Sequence, residues 1–379
     1  MEHHSRAERF ETIVIGGGQA GLATGYQLAR RGLPFVILDA GERVGDSWRK
    51  RWESLRLFTP ARYDSLPGMP FPASASTYPT KDEIADYLES YATRFELPIR
   101  GGVNVDRLFK EGERFVVTAG DLRFEADNVV VATGAYHAPL VPVFAPKLDP
   151  SILQMHSSQY RDPSQLQEGG VLVVGAANSG AEIALDVAPH HRTWLSGRDP
   201  GQEPTRAGSL ADKLFTPIMW FMASRVVNVR NPIGRKVRDR FIDPPRGIPL
   251  GRARRKDILA AGIERVARAT DVRDGYPMLE DGQVLDVTNV IWCTGFVPDY
   301  SWIDLPIVAA NGYPNHTRGV VESQPGLYFI GLLFLSTLSS ALVGGVGRDA
   351  EHIAAHLAAT RSHRGEHGEW QSEATMTGS

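Results

Sequence analysis

Two stretches of this 379-residue chain carry glycines at a spacing that lets backbone amides grip a pyrophosphate. In IVIGGGQAGLA (residues 13–23), Gly16, Gly18 and Gly21 stand in GxGxxG register between a continuously apolar, strand-like run and a helix-like one. The first glycine allows a tight turn, the second lets the backbone approach the phosphates, and the third lets helix and strand pack closely. The positive end of the helix, opened by Gln19 and Ala20, then faces the anion. FVILDA follows as a second strand and ends at Asp39 and Ala40. A carboxylate at that position accepts hydrogen bonds from a ribose diol, which predicts FAD or NAD rather than a 2′-phosphate nucleotide.

VVGAANSGAEIA (173–184) repeats the outline with Gly175, Ala177 and Gly180. Alanine at the middle position adds one methyl group and still permits a backbone bond to a pyrophosphate. Asn178 and Ser179 are read as helix cap and phosphate contacts. The next strand ends WLSGR, with no carboxylate but with Ser196 and Arg198, which suit a ribose 2′-phosphate. The reading is NADPH at this second site, with NADH as the other option. Together the two sites imply hydride transfer from nicotinamide to flavin, the chemistry residing mainly in the cofactors.

Such sites require strands ending at the phosphates and helices starting there. The expected fold class is α/β, with two Rossmann-like dinucleotide-binding domains, the NADPH domain inserted in the FAD domain. The expected division is 1–145 for the first part of the FAD domain, 146–288 for the NADPH domain, 289–360 for the second part, and 361–379 as a disordered tail. The proline-rich stretch HAPLVPVFAPKLDP (137–150) marks the first boundary. FVVTAGDLRFEADNVVVATG (115–134) reads as three short strands, two around a Gly-Asp turn and one reaching Thr133 and Gly134. VIWCTGF near 290 echoes its end with Thr294 and Gly295, small residues that permit close backbone approach where the chain crosses between domains.

Composition narrows the function classes. A net charge of −3 gives no pull toward nucleic acid or an anionic membrane. The single cysteine, Cys293, excludes dithiol chemistry within the chain and reads as an inert core residue. No metal site is read from the sequence. The start lacks a signal peptide's apolar region and no segment is apolar enough to span a bilayer, so the expected location is cytoplasmic. LFTPIMWFMASRVV (214–227), the most apolar local stretch, is expected to pack within the protein. The arginine-rich segment 198–257 is read as a solvated face, with a partner or phosphate surface as the alternative. His156 is read as hinge support, and His3 and His4 as binding nothing.

The ordered set of motifs resembles the class B flavoprotein monooxygenases, the flavin-containing monooxygenase type. The resemblance is carried by GGGQAG (16–21), VGDSW (44–48), LRLFTPARYDSLPGMPFP (55–72), YPTKDEIADYL (78–88), VVVATG (129–134), HSSQY (156–160), VVGAANSGAEIA, IWCTGF (291–296) and SALVGGVGRDAEHIA (340–354). It implies FAD, NADPH and O2 as co-substrate, and places Trp48, Leu57 and Leu342 by the flavin. It also implies a flavin C4a-hydroperoxide that oxygenates a nitrogen, sulfur or carbonyl centre of a small soluble substrate. The chain departs from the type in three places. Pro150 and Ile152 stand where its FxGxxxHxxxY fingerprint has Phe and Gly, although His156 and Tyr160 fit. Phe58 occupies the position of an active-site asparagine, whereas Tyr160, where Baeyer-Villiger enzymes have tryptophan, argues against that subclass. No side chain is required as acid or base, and Asn178 and Phe58 are the only side-chain candidates for the reaction itself. Two alternatives stay open: an NADPH oxidase or reductase without oxygen insertion, and a nucleotide-sensing regulatory flavoprotein. Oligomeric state is open, a homodimer being one option.

Overall fold

The run Thr12–Ile15 is β-prone and, Thr12 apart, apolar, and it becomes the buried half of strand β1 (Glu8–Ile15), flanked by parallel neighbours on both sides at the centre of a mixed sheet. The computed structural model describes residues 7–136, 138–205, 208–242, 249–309 and 311–376. His3 and His4 lie outside them.

From β1 the chain enters helix α1 (Gln19–Ala29), returns through β2 (Phe35–Leu38), and makes the short helix α2 (Asp46–Arg49) and helix α3 (Lys81–Arg94). Thr80 and Glu83 form a reciprocal capping box at the start of α3, which fixes its entry. Strands β3 (Ile99–Arg100), β4 (Arg107–Glu111), β5 (Arg114–Ala119) and β6 (Leu122–Val131) complete the amino-terminal half. Where three short strands are expected, LRFEADNVVV forms one strand of ten residues. Its first half pairs antiparallel with β5, its length runs parallel to β1, and Val129–Val131 also pair with a late strand. Pairing on both edges keeps it continuous through the polar residues Glu125, Asp127 and Asn128.

The proline-rich connection contains β7 (Ala138–Pro139) and leads into β8 (Leu153–His156), β9 (Val171–Val174), helix α4 (Asn178–Val187) and β10 (Thr193–Ser196). Helices α5 (Leu210–Phe221), α6 (Pro232–Ile242) and α7 (Arg255–Ala260) follow. Then come β11 (Glu264–Val266), the hairpin β12 (Ala269–Arg273) with β13 (Tyr276–Leu279), β14 (Asn289–Trp292), β15 (Phe296–Val297), β16 (Leu327–Phe329) and helix α8 (Gly347–Met376).

The first sheet has the order β3-β2-β1-β6-β5-β4, with β16 joining β6; the second, β11-β10-β9-β14-β8, is parallel throughout. Every strand of the second sheet lies in sequence between β6 and β16 of the first, which is the topology of an insertion. The paired strands β7 and β15 mark the two crossings.

Two features differ from expectation. Helix α8 is described through Met376, so most of the stretch read as a disordered tail continues a helix. The apolar segment 214–227 does not pack inward as a whole. Trp220 stacks on Tyr63 at 4.8 Å between ring centroids, while Leu214 is 69% and Ile218 60% exposed on α5, and Met219, Phe221 and Met222 are exposed too. The residues count as apolar, but these five are left on the surface.

Candidate nucleotide and flavin site

Gly16 takes φ +109°, and a Cβ there would come within 2.6 Å of the Ala132 carbonyl oxygen. Its N–H donates to Leu38 O at 2.7 Å, so the turn is fixed between the ends of β1, β2 and β6. At Gly21 a Cβ would strike the Gly16 carbonyl, which is why helix and strand can touch only through glycine. Around Gly18 no heavy atom lies within 4 Å of a would-be Cβ, so the middle glycine faces open space. Helix α1 has no side-chain cap and no acid in its first turn, in contrast to α3 with its capping box, Asp82 and Glu83. Its free amides and positive end are therefore directed to an external anion. Asp39 accepts from the N–H of Gly17 with one oxygen and from that of Gly41 at 2.7 Å with the other. Each oxygen retains a lone pair for a hydroxyl. Ala40 follows Asp39 on the exposed side.

The second cradle repeats this construction. Gly175 has φ +108°, donates to Ser196 O at 2.8 Å, and would drive a Cβ into the Cys293 carbonyl; Gly180 packs on Gly175. Ala177 is the N-cap position of α4, which also lacks a side-chain cap and a first-turn acid. Ser179 lies in the first turn. Asn178 is corrected: rather than capping, its side chain donates to Pro249 O at 3.2 Å and accepts from Gly251 N at 3.1 Å, which ties α4 to a distant loop.

Ser196 is corrected too. It is fully buried, donates to Ala267 O at 2.8 Å and accepts from Ala269 N at 2.9 Å, so its hydroxyl is engaged by the backbone that follows β11. Arg198 is exposed at the end of β10. Beside it stand Arg255, from the arginine-rich segment and paired with Asp199, and Arg265, a cation that the linear sequence did not point to, which donates to Gly197 O at 3.0 Å. Burial first, then Arg255, holds the Arg265 guanidinium below its ordinary range, partly offset by Asp199. Only the parallel register of β10 with β11 brings Arg265 here.

The remaining candidates divide between flavin-side loops and the crossing. Gln19 reaches Ala341 O at 3.5 Å, and a Cβ on Gly331 would touch Ala20, so α1, the Thr133–Gly134 end of β6 and the late loop converge on one edge of the sheet. Leu342 is half-buried in that loop, and its carbonyl receives the N–H groups of Gly345 and Val346. Trp48 on α2 packs against the first core, and Leu57 is buried with its N–H on Pro79 O at 2.8 Å; Phe58 is exposed. Thr294 donates its hydroxyl to Leu140 O, and the Gly295 carbonyl accepts from Leu140 N at 2.9 Å, so this pair is engaged in the crossing itself.

His156 joins the same crossing, donating from Nε2 to Gly295 O. Arg51 acts electrostatically on both His156 and Tyr136, an interdomain cation that sequence reasoning missed. Two carboxyls flank the sites in unusual states. Burial pushes Asp64 up to about 7 against the pull of Thr59, and Glu182 on α4 up to about 7 against Arg252. Burial raises the Cys293 thiol far above its ordinary range, which leaves it unreactive.

Comparison with known proteins places this geometry. Residues 13–206 match the family described as pyridine nucleotide-disulphide oxidoreductase. An uncharacterized CzcO-like oxidoreductase of Geobacillus kaustophilus is 42% identical over 90% of this chain and 97% of its own. YUCCA7 of Arabidopsis thaliana, described as a probable indole-3-pyruvate monooxygenase, is 30% identical over 84% of this chain and 82% of its own. The structure of a flavin-containing monooxygenase from Stenotrophomonas maltophilia superimposes with a TM-score of 0.73 at 28% identity, covering 93% of this chain and 99% of that one. No described helix is long and apolar enough to cross a membrane. With two glycine cradles and a single, half-buried cysteine, the chain belongs to the pyridine nucleotide-disulphide oxidoreductase family as an NAD(P)H-dependent flavoprotein of the flavin-containing monooxygenase type, using FAD and NADPH with O2.

Proposed function

We propose that the chain is an NADPH-consuming monooxygenase that oxygenates a nitrogen, sulfur or carbonyl centre of a small molecule. The observation that carries this reading is the pair of equivalent cradles, Gly16–Gly21 and Gly175–Gly180, each opening an uncapped helix at the ends of parallel strands. The first fits FAD: open space at Gly18 admits the diphosphate, and Asp39 accepts from the ribose. The second fits NADPH: Gly175, Ala177 and Gly180 admit the diphosphate, and Arg198 with Arg265 receives the 2′-phosphate. The FAD-binding unit is then 1–145 with 289–360, and the NADPH-binding unit is 146–288.

When bound, FAD accepts hydride and activates oxygen. The protein's own share is to hold, orient and keep water out. Trp48, Leu57 and Leu342 supply apolar walls beside the flavin, and the Thr294–Leu140 and His156–Gly295 bonds hold the two units in register. Neither His156, with both nitrogens engaged, nor the protonated Cys293 is available to move a proton.

An oxidase that reduces oxygen without inserting it is the second reading, favoured by Phe58, which offers no polar group at the position where the type carries asparagine. Two-stage rapid mixing separates the two. NADPH first reduces the FAD-loaded protein anaerobically, and oxygenated buffer follows. A delayed return of the oxidised flavin spectrum supports monooxygenation; immediate return with stoichiometric hydrogen peroxide supports the oxidase. Failure of NADPH to reduce the flavin overturns both.

A further inference from the structure

At the end of α5 the chain makes a π turn, Met222–Val226, and then runs against the loop that follows β16. Val229 N–H donates to Ser336 O at 2.9 Å and Leu338 N–H to Val227 O at 3.1 Å. Beside this seam is a cleft of about 170 Å³ lined by Ser224, Arg225, Arg230, Arg318, Thr337 and Arg348, among others.

Four guanidinium groups from two distant parts of the chain meet there, and none makes an ion pair within 4.0 Å among the described residues. Arg318 and Arg348 are both held below their ordinary range, first by burial and then by a like charge, Arg230 for the former and Arg225 for the latter. Among the described residues the acidic group that acts on Arg318 and Arg348 is Asp349, which is 1% exposed, is pushed up by burial and is engaged by the Ser336 hydroxyl. It is a weak counter-charge for four cations. Ser224, 5% exposed, has a buried hydroxyl with no hydrogen-bond partner. Buried polar groups without partners are costly, and crowded guanidinium groups repel. Both costs are relieved by one kind of ligand.

We propose that this cleft binds a compact oxyanion of charge −2, a phosphate group being the reference case. Its oxygens offer enough lone pairs for forked contacts with two or more arginines and for the Ser224 hydroxyl. Because Ser224, Arg225 and Arg230 lie on one side of the seam and Arg318, Thr337 and Arg348 on the other, the bound anion also clamps the inserted helices to the loop preceding α8. The site is separate from the cations Arg198 and Arg265 at the β10 and β11 strand ends.

The test is titration calorimetry of the FAD-loaded protein, free of NADPH, with inorganic phosphate at constant ionic strength set by chloride, together with melting temperatures. The expected result is one saturable site and a phosphate-dependent rise in Tm. Binding weakens at least about tenfold in an Arg318→Ala, Arg348→Ala double variant and is unchanged in Arg198→Ala. Arg225→Gln with Arg230→Gln, at exposed positions on the other wall, gives the same loss should the first pair fail to fold. Methyl phosphate binding as well as phosphate points to an organic phosphate as the ligand, and its exclusion points to the free ion. No saturable binding, or binding abolished by Arg198→Ala and kept by both arginine pairs, overturns the proposal.

Discussion

His156 and Gly295, 139 positions apart, are joined by a 2.9 Å hydrogen bond from the imidazole Nε2–H to the carbonyl oxygen. The other ring nitrogen accepts from Ser158, from its hydroxyl at 2.9 Å and its backbone N–H at 3.2 Å, which fixes a neutral tautomer. Burial, more than the nearby Arg51, opposes protonation of this ring, and the Gly295 carbonyl only partly offsets it. The bond ties the end of β8 to the return crossing after β14. His156→Ala is therefore expected to cost about 1–3 kcal/mol of stability. It should leave FAD content intact and slow flavin reduction by NADPH several-fold, as read by melting curves and stopped-flow absorbance.

The glycines of the first cradle are not interchangeable. Gly18→Ala, with nothing within 4 Å of the new methyl group, should fold with an unchanged Tm but bind FAD more weakly. Gly21→Ala drives a methyl group into the Gly16 carbonyl and should give little soluble protein. Expression yield and the flavin-to-protein absorbance ratio distinguish these outcomes. A holoprotein from Gly21→Ala with native Tm would contradict the packing argument.

Nucleotide choice is expected to rest on Arg198 and not on Ser196. Arg198→Ala should raise KM for NADPH about tenfold, equivalent to about 1.4 kcal/mol, and leave KM for NADH nearly unchanged. Ser196→Ala should leave the NADPH to NADH preference alone and lower stability by about 1 kcal/mol, because Ala269 N–H and Ala267 O lose their partner. Steady-state kinetics with both nucleotides decides it.

Asp64 makes stability depend on pH. Its folded pKa of about 7 lies above the ordinary value of 3.8, so between these values the folded state binds more protons than the unfolded one. Stability then falls as pH rises from about 4 to 7, by at most about 1.4 kcal/mol per pH unit for this group. Asp64→Asn keeps an acceptor for the Thr59 hydroxyl and removes the ionisation. The variant should match the native chain near pH 4 and melt higher at pH 8. Glu182 titrates in the same window, so the quantity to follow is the difference between the two proteins.

What could be read from the sequence was local. Gly16, Gly18 and Gly21 announce a cradle by their spacing between a strand-like and a helix-like run, and the second cradle follows by the same reasoning, although the carbonyls that exclude a side chain at Gly16 and Gly175, those of Ala132 and Cys293, are distant in sequence. Ser196 misled because a short parallel strand covered on both faces does not alternate, so a hydroxyl two residues before Arg198 turned inward to Ala267 and Ala269. Asn178 misled because its partners, Pro249 and Gly251, are more than seventy residues away. Arg265 and Arg51 were illegible for a like reason: register and domain crossing, not spacing, bring them to the sites. The apolar count of 214–227 suggested burial, yet Leu214, Ile218 and Phe221 are exposed, while Trp220 stacks on Tyr63.

Cys293 takes part in the fold through its backbone: its N–H donates to Val174 O at 2.7 Å and its carbonyl lies against Gly175, whereas its side chain packs against the core beside Gly180 of α4 without a hydrogen bond among the described residues. An alanine in its place yields a protein without thiols and with the same strand geometry. Single cysteines can then be introduced at will, for example at Val143, which is 96% exposed in the linker, and at a chosen point on α4. A pair of spectroscopic labels at such points would turn the hinge into a ruler that records the spacing of the two halves during each catalytic cycle.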